Sequence, residues 1–209
     1  IPPPADSYEK MDEWTQHQLF YPFNMSTVEN LNVQYTDGER PVVSEKSFGF
    51  DEDLYNNCPR WVDVRGYLQS EKYFKEIEDV MREDFTFKPQ FLRPSRSMIG
   101  SFENPVSLHI RRTDYLTLSH HHNNLGLDYY EEALSHFDED RTVVIFSDDP
   151  EWCKEQSLFD SDRFLVAEGN INYTDLCLMS LCKAHIIANS SFSWWGAWLA
   201  KSEKIIAPS

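Results

Sequence analysis

From Val106 onward the chain alternates short β-branched runs with segments whose apolar residues recur every three or four positions. VSLHI precedes DYYEEALSHF, TVVIF precedes PEWCKEQSLF, RFLVA precedes TDLCLMSLCKA, HIIA precedes SWWGAWLAK, and KIIAP follows. Runs that lack in-and-out alternation are strands covered on both faces, and their alternation with helical segments calls for parallel strands joined by crossover helices. The pattern therefore predicts a Rossmann-like α/β layer over residues 106–209. Upstream, Phe74, Ile77, Met81 and Phe85 recur at helical spacing behind a capping Ser70, so SEKYFKEIEDVMREDF is predicted to be one amphipathic helix. Three prolines and few periodic apolar residues between Lys88 and Pro105 predict a linker, and IPPP reads as an extended or frayed end. Two domains are expected, 1–105 and 106–209.

Composition narrows the possible partners. The 209 residues carry a net charge of -16 at pH 7. Residues 1–105 hold 11 basic and 19 acidic residues and residues 106–209 hold 8 and 16, so each part is at -8 and there is no basic arm. Such a surface repels nucleic acid and anionic lipid, and any anionic ligand must be captured locally. No apolar run approaches the roughly 18 residues of a membrane-spanning helix, and no signal-peptide pattern is present. A soluble cytoplasmic chain, membrane-peripheral at most, is expected. Cys58, Cys153, Cys177 and Cys182 form no CxxC pair and read as thiols in a reducing compartment. The three glycosylation sequons, at Asn24, Asn172 and Asn189, read as chance matches.

In open parallel sheets, ligands sit outside the carboxyl ends of the strands, where helix N-termini also point. Three polar clusters fall there: HIRRTDY at 109–115, FSDDP at 146–150 and ANSSFS at 188–193. Consecutive arginines on a strand point to opposite faces, so one of Arg111 and Arg112 can meet an anion while the other braces the loop. An ion pair with Asp114 or another acid is the structural alternative. Asp149 and Pro150 suit a helix start, which leaves Asp148 to be explained. A carboxylate there could accept both the ring N–H and the exocyclic amine of guanine. Asn189, Ser190, Ser191 and Ser193 can offer hydroxyls and amides to a phosphate, or Ser193 can simply cap a helix. Trp194 with Trp198, and Trp195 with Leu199, are spaced for packing rather than for sugar platforms. His120, His121 and His122 read as a solvated loop, and no zinc-ligand or DxD spacing occurs.

Taken in order, HIRRTDY, FSDDP and NSSFSWWGAWL, with RGYLQSEKYF upstream, resemble the α-1,2-fucosyltransferases of glycosyltransferase family 11 from about Trp61 to Pro208. HIRRTD and DDP are also similar to the wider group of α-1,6- and protein O-fucosyltransferases. The resemblance implies a GT-B architecture of two Rossmann-like domains, the C-terminal one holding GDP-fucose and residues 1–105 forming an incomplete acceptor side. It implies a metal-independent, inverting transfer of fucose to the 2-hydroxyl of a galactose-terminated glycan, with GDP-fucose as donor substrate and no cofactor. Arg111 would hold the diphosphate with Arg112 supporting it; His109 and one of Asp148 or Asp149 would contact guanosine; and Asn189, Ser190, Ser191, Phe192 and Ser193 would complete the phosphate and sugar site. The acceptor base is open among Asp114, Glu71 and the histidine run, with Asp114 the leading candidate. The glycine-rich GGxGNQ-type segment of the family is absent, so the chain is expected to be truncated at both ends, with a partner chain or a homo-oligomer able to cover a missing sheet edge. A sugar-nucleotide-binding remnant and a carbohydrate-binding module are the competing readings.

Overall fold

A computed structural model describes residues 20–27, 41–117 and 124–209, which form two compact units, Asn24–Thr86 and a second built from Phe87–Ser209 with residues 20–23. The IPPP end and the His120–His122 run lie outside the described residues.

In the first unit, strands β1 (Val42–Ser44) and β2 (Asp63–Arg65) pair in parallel around helix α1 (Glu52–Asn57), whose cap Asp51 accepts a hydrogen bond from Leu54 N at 3.0 Å. The predicted single helix after Ser70 is broken. It is two 3₁₀ turns, Glu71–Tyr73 and Lys75–Ile77, followed by a short α2 (Glu78–Asp84). The Tyr73 hydroxyl donates to Glu45 Oε1 at 2.9 Å and accepts from Asp51 N at 2.9 Å, while its ring packs on Phe50. Those anchors outweigh local propensity, and the backbone leaves the helix at Phe74 (φ -131°, ψ 11°).

In the second unit the expected linker is largely a helix, α3 (Pro89–Ile99). Pro89 sits in its first turn, where a missing N–H costs nothing. Phe91, Leu92, Ser95 and Ile99 make its inward face, and the Ser95 hydroxyl bonds Phe91 O at 2.9 Å. A serine in place of an apolar residue hid the helical period. Phe91 packs edge-on against Tyr173, so α3 belongs to the same unit as the sheet rather than to the preceding part of the chain.

The sheet follows the sequence pattern closely. Strands β3 (Val106–Ile110), β4 (Val143–Ser147), β5 (Phe164–Val166), β6 (Ala184–Ile186) and β7 (Lys204–Ile206) are all parallel. The connecting segments carry α4 (Thr113–Thr117), α5 (Leu127–Leu134), α6 (Pro150–Lys154), α7 (Asn172–Leu181) and α8 (Ser191–Ala200). One face packs Val106, Leu108, Ile110, Val143, Ile145 and Ile186 against Tyr130, Ala133 and Leu134 of α5; the other packs Val144 and Phe146 against Ile99, Leu178 and Met179. Each such burial is worth roughly 1.5–3 kcal/mol, and coverage of both faces removes any need for alternation. The α/β expectation of a parallel sheet covered on both faces holds.

Strand order is β5-β4-β3-β6-β7. The chain winds outward from β3 in one direction, returns to the other side of β3, and winds out again. That reversal opens a crevice at the carboxyl ends of β3 and β6, where α/β sheets bind ligands.

Candidate active site

A cleft of about 500 Å³ lies at that crevice, with walls from His109, Arg111, Tyr115, Phe146, Ser147, Asp148, Asn170, Asn172, Asp175, Ser190, Ser191 and Phe192. All three clusters singled out in the sequence reach it. Both arginines stand in the turn just past the end of β3, not on the strand itself, and the contacts of that turn separate them: Arg111 lines the cleft and Arg112 does not. The Arg112 guanidinium lies 3.7 Å from the centre of the Trp152 ring, and its Nε donates to Asp149 Oδ2 at 3.2 Å. Arg112 is thus clamped from two sides by α6 and the turn before it.

Asp148 is heavily engaged. Its Oδ1 accepts from Arg112 N at 2.9 Å, and its Oδ2 accepts from Thr113 N at 3.2 Å and Thr113 Oγ1 at 2.6 Å while pairing with Arg111 Nη1 at 3.2 Å. Asp149 caps α6 through Trp152 N at 3.3 Å besides holding Arg112. The two carboxylates fasten the arginine turn of β3 to the end of β4. Each is consumed by protein donors in a way that spacing in the sequence does not reveal.

His109 is 4% exposed, and its Nδ1 has no hydrogen-bond partner among the described residues. Burial pushes its pKa down to about 4, with Asp148 opposing and Arg111 reinforcing the shift. The imidazole is therefore neutral at pH 7, and its ring lies 5.6 Å from that of Phe192 at a tilt of 41°. In the third cluster, Ser190 and Ser191 line the cleft at the N-terminus of α8. Ser193 is fully buried and turns its hydroxyl to Ala188 O (3.2 Å) and Ser190 O (3.0 Å); it neither caps the helix through an amide nor faces the cleft. Asn189 is likewise absent from the wall, but its carbonyl accepts from Tyr115 Oη at 2.9 Å. Trp194 and Trp198 stack on each other at 6.2 Å, with Trp195 edge-on to both, so the tryptophans pack together along α8. Asp114 lies on α4 next to the arginine turn, and its side chain is outside the described residues.

One wall escaped the sequence reading. Asn170, Asn172 and Asp175 come from the β5–α7 connection and the start of α7. Burial raises the Asp175 pKa to about 6, opposed by a hydrogen bond from Asn170 Nδ2 at 2.9 Å. This connection also leaves the carboxyl end of a strand, so the rule that picked out the other three clusters applies to NINYTD as well. The signal was present in a polar loop that lacks an arginine or a hydroxyl run to draw attention. Among the described residues no group of three or more His, Cys, Asp or Glu side chains is arranged to hold a metal ion, and no helix is long and apolar enough to cross a membrane.

Residues 54–208 match Glycosyl transferase family 11. The chain is 40% identical over 148 residues to an alpha-1,2-colitosyltransferase of Escherichia coli, covering 66% of this chain and 51% of that protein. It is 26% identical over 166 residues to galactoside alpha-(1,2)-fucosyltransferase 1 of Bos taurus, covering 69% of this chain and 45% of the relative. The chain thus spans about half the length of these relatives. Among solved structures it is similar to POFUT1 in complex with GDP, at TM-score 0.52 and 12% identity over 70% of this chain and 55% of that one, a likeness of fold.

Proposed function

Because the chain belongs to glycosyltransferase family 11, we propose that it carries the donor site of an inverting fucosyltransferase, one that moves fucose from GDP-fucose to the 2-hydroxyl of a galactoside in α-1,2 linkage. The observation that carries this reading is the composition of the cleft. A fixed cation, Arg111, and the N-terminus of α8 meet at the switch point of the sheet, facing a desolvated carboxylate, Asp175. The arrangement suits a ligand that is anionic at one end and rich in N–H donors at the other.

The leaving group of the reaction is a diphosphate whose negative charge grows as the sugar departs. Arg111 and the amides of the α8 N-terminus meet that charge without reorganising, and loss of one such contact typically costs on the order of 10²–10³ in rate. Arg112, clamped on Trp152 and Asp149, supports the turn. Guanine recognition goes to Asp175 rather than Asp148 or Asp149, since the latter two are taken up by protein donors while Asp175 accepts one side-chain hydrogen bond, from Asn170. An ionised Asp175 accepts the ring N–H and exocyclic amine of guanine as a pair, which adenine does not offer. Neutral His109 and Phe192 give the cleft an aromatic wall. Asp114, on the helix that follows the arginine turn, is proposed as the base that takes the acceptor proton. Residues 24–86 belong to the acceptor side.

Calorimetric titration with GDP, together with GDP release from GDP-fucose in the presence of lactose, tests the proposal. Binding and release are expected, and the absence of both overturns it. The 40% identical alpha-1,2-colitosyltransferase supports a second reading in which the donor is GDP-colitose rather than GDP-fucose. Turnover of the two donors in parallel assays decides between them, because the same cleft accommodates GDP in either case.

A further inference from the structure

Tyr115 touches both sides of the crevice. It stands on α4 directly after the arginine turn of β3, is 9% exposed, and forms part of the cleft wall. The Arg111 guanidinium lies 5.8 Å from the centre of its ring. Its hydroxyl donates to Asn189 O at 2.9 Å, the carbonyl just before Ser190 and Ser191 on the β6 side. The Asn124 side-chain amide in turn donates to Tyr115 O at 3.1 Å, fastening the backbone that carries the ring.

We propose that Tyr115 is a positioning residue that ties the arginine turn to the serine turn across the switch point, and so sets the phosphate end of the nucleotide site; this rests on the GDP-sugar reading above. The register between parallel strands β3 and β6 runs from Val106↔Ala184 to Leu108↔Ile186, and past it the chain turns toward β4 on one side of the pair and toward β7 on the other. A hydrogen bond to the Asn189 carbonyl also orients the peptide that follows. In a trans peptide the C=O and N–H point oppositely, so holding the Asn189 oxygen fixes the direction of the Ser190 amide. One side chain thereby sets both the cation against its ring and the amide at the start of α8. The base end of the cleft, at Asn170 and Asp175, is built from a different connection and does not depend on this tie.

Tyr115→Phe removes the hydroxyl and keeps the ring beside Arg111. Affinities for GDP and for guanosine are measured calorimetrically on the wild-type and variant chains, with thermal midpoints recorded for both. GDP affinity is expected to fall about tenfold, the size of one lost and partly uncompensated hydrogen bond, while guanosine affinity stays within about twofold. Tyr115→Leu, which removes the ring as well, is expected to lower GDP affinity further with guanosine again spared. An unchanged GDP affinity in Tyr115→Phe overturns the proposal, as does a parallel loss for both ligands, which marks a general structural role. If the wild-type chain binds neither ligand, the nucleotide reading itself fails, and the tie with it.

Discussion

Asp175 holds its proton to about pH 6 because burial penalises its charge more than the single bond from Asn170 repays. A folded-state pKa above the unfolded value stabilises the chain at low pH, and that contribution is lost as pH rises through about 6. Above that pH the ionised carboxylate is a liability in the empty cleft and an acceptor pair once guanine arrives. Asp175→Asn is therefore expected to raise the thermal midpoint at pH 7.5, to leave little difference at pH 4, and to weaken guanosine binding. Thermal melts at both pH values check it, and a midpoint that falls at pH 7.5 would show the carboxylate to be a structural necessity. Arg111 acts at the other end. Arg111→Ala is expected to lower turnover by about 10²–10³ and to weaken GDP far more than guanosine. Equal losses for the two ligands would move the diphosphate elsewhere.

At the scale of elements, the site depends on how closely α8 lies on α7. Gly196, buried on α8, faces Met179 of α7, and a Cβ added there would stand 2.9 Å from Met179 Cε and 3.0 Å from its Cβ. The end of the methionine can swing aside, but its Cβ moves only with the helix. Alanine gains about 1 kcal/mol in helix propensity over glycine, whereas overpacking a dense contact costs roughly 1–3 kcal/mol. Gly196→Ala is accordingly expected to lower the urea midpoint and, by shifting the α8 N-terminus, to reduce GDP affinity. A gain in stability would show that the helices part without cost. The α3 helix and the broken helix after Ser70 belong to this scale as well. In one, a buried serine disguised a helical face; in the other, contacts made by Tyr73 with distant residues overrode a helical period.

At the scale of the molecule, two buried histidines set the response to acid. His109 and His185 lie on neighbouring strands beneath the α7 side of the sheet, His185 hydrogen-bonded through Nδ1 to Ser107 Oγ at 2.8 Å. Burial holds both pKa values down at about 4, against 6.5 in an unfolded chain. Stability is full above the unfolded value and is lost as pH falls toward the folded one, at a limiting slope of about 1.4 kcal/mol per pH unit for each imidazole. Between pH 7 and 5.5 Asp175 takes up its proton and opposes the loss, but two imidazoles outweigh one carboxyl, so the histidines should dominate. The urea midpoint is expected to drop across that interval; a flat profile would mean that these rings take up protons in the native state.

Local patterning by itself determined that this chain builds a parallel, doubly covered sheet, and that the polar turns after its strands are where ligand chemistry belongs. The opposite fates of Arg111 and Arg112 were not fixed by strand alternation, because both lie in the turn beyond β3, where Trp152 and Asp149 hold Arg112 and Asp148 pairs with Arg111. Only the tertiary structure decided the order β5-β4-β3-β6-β7, and with it which turns share a crevice. It also decided that Asp148 and Asp149 would be consumed in bracing the arginines, that Ser193 would face inward, and that Asp175 would enter from the β5–α7 connection. The physical reason is the range of the interactions. Periodicity and capping are read within a few residues, whereas the partner that occupies a carboxylate, or the burial that holds back its charge, comes from strands tens of residues away.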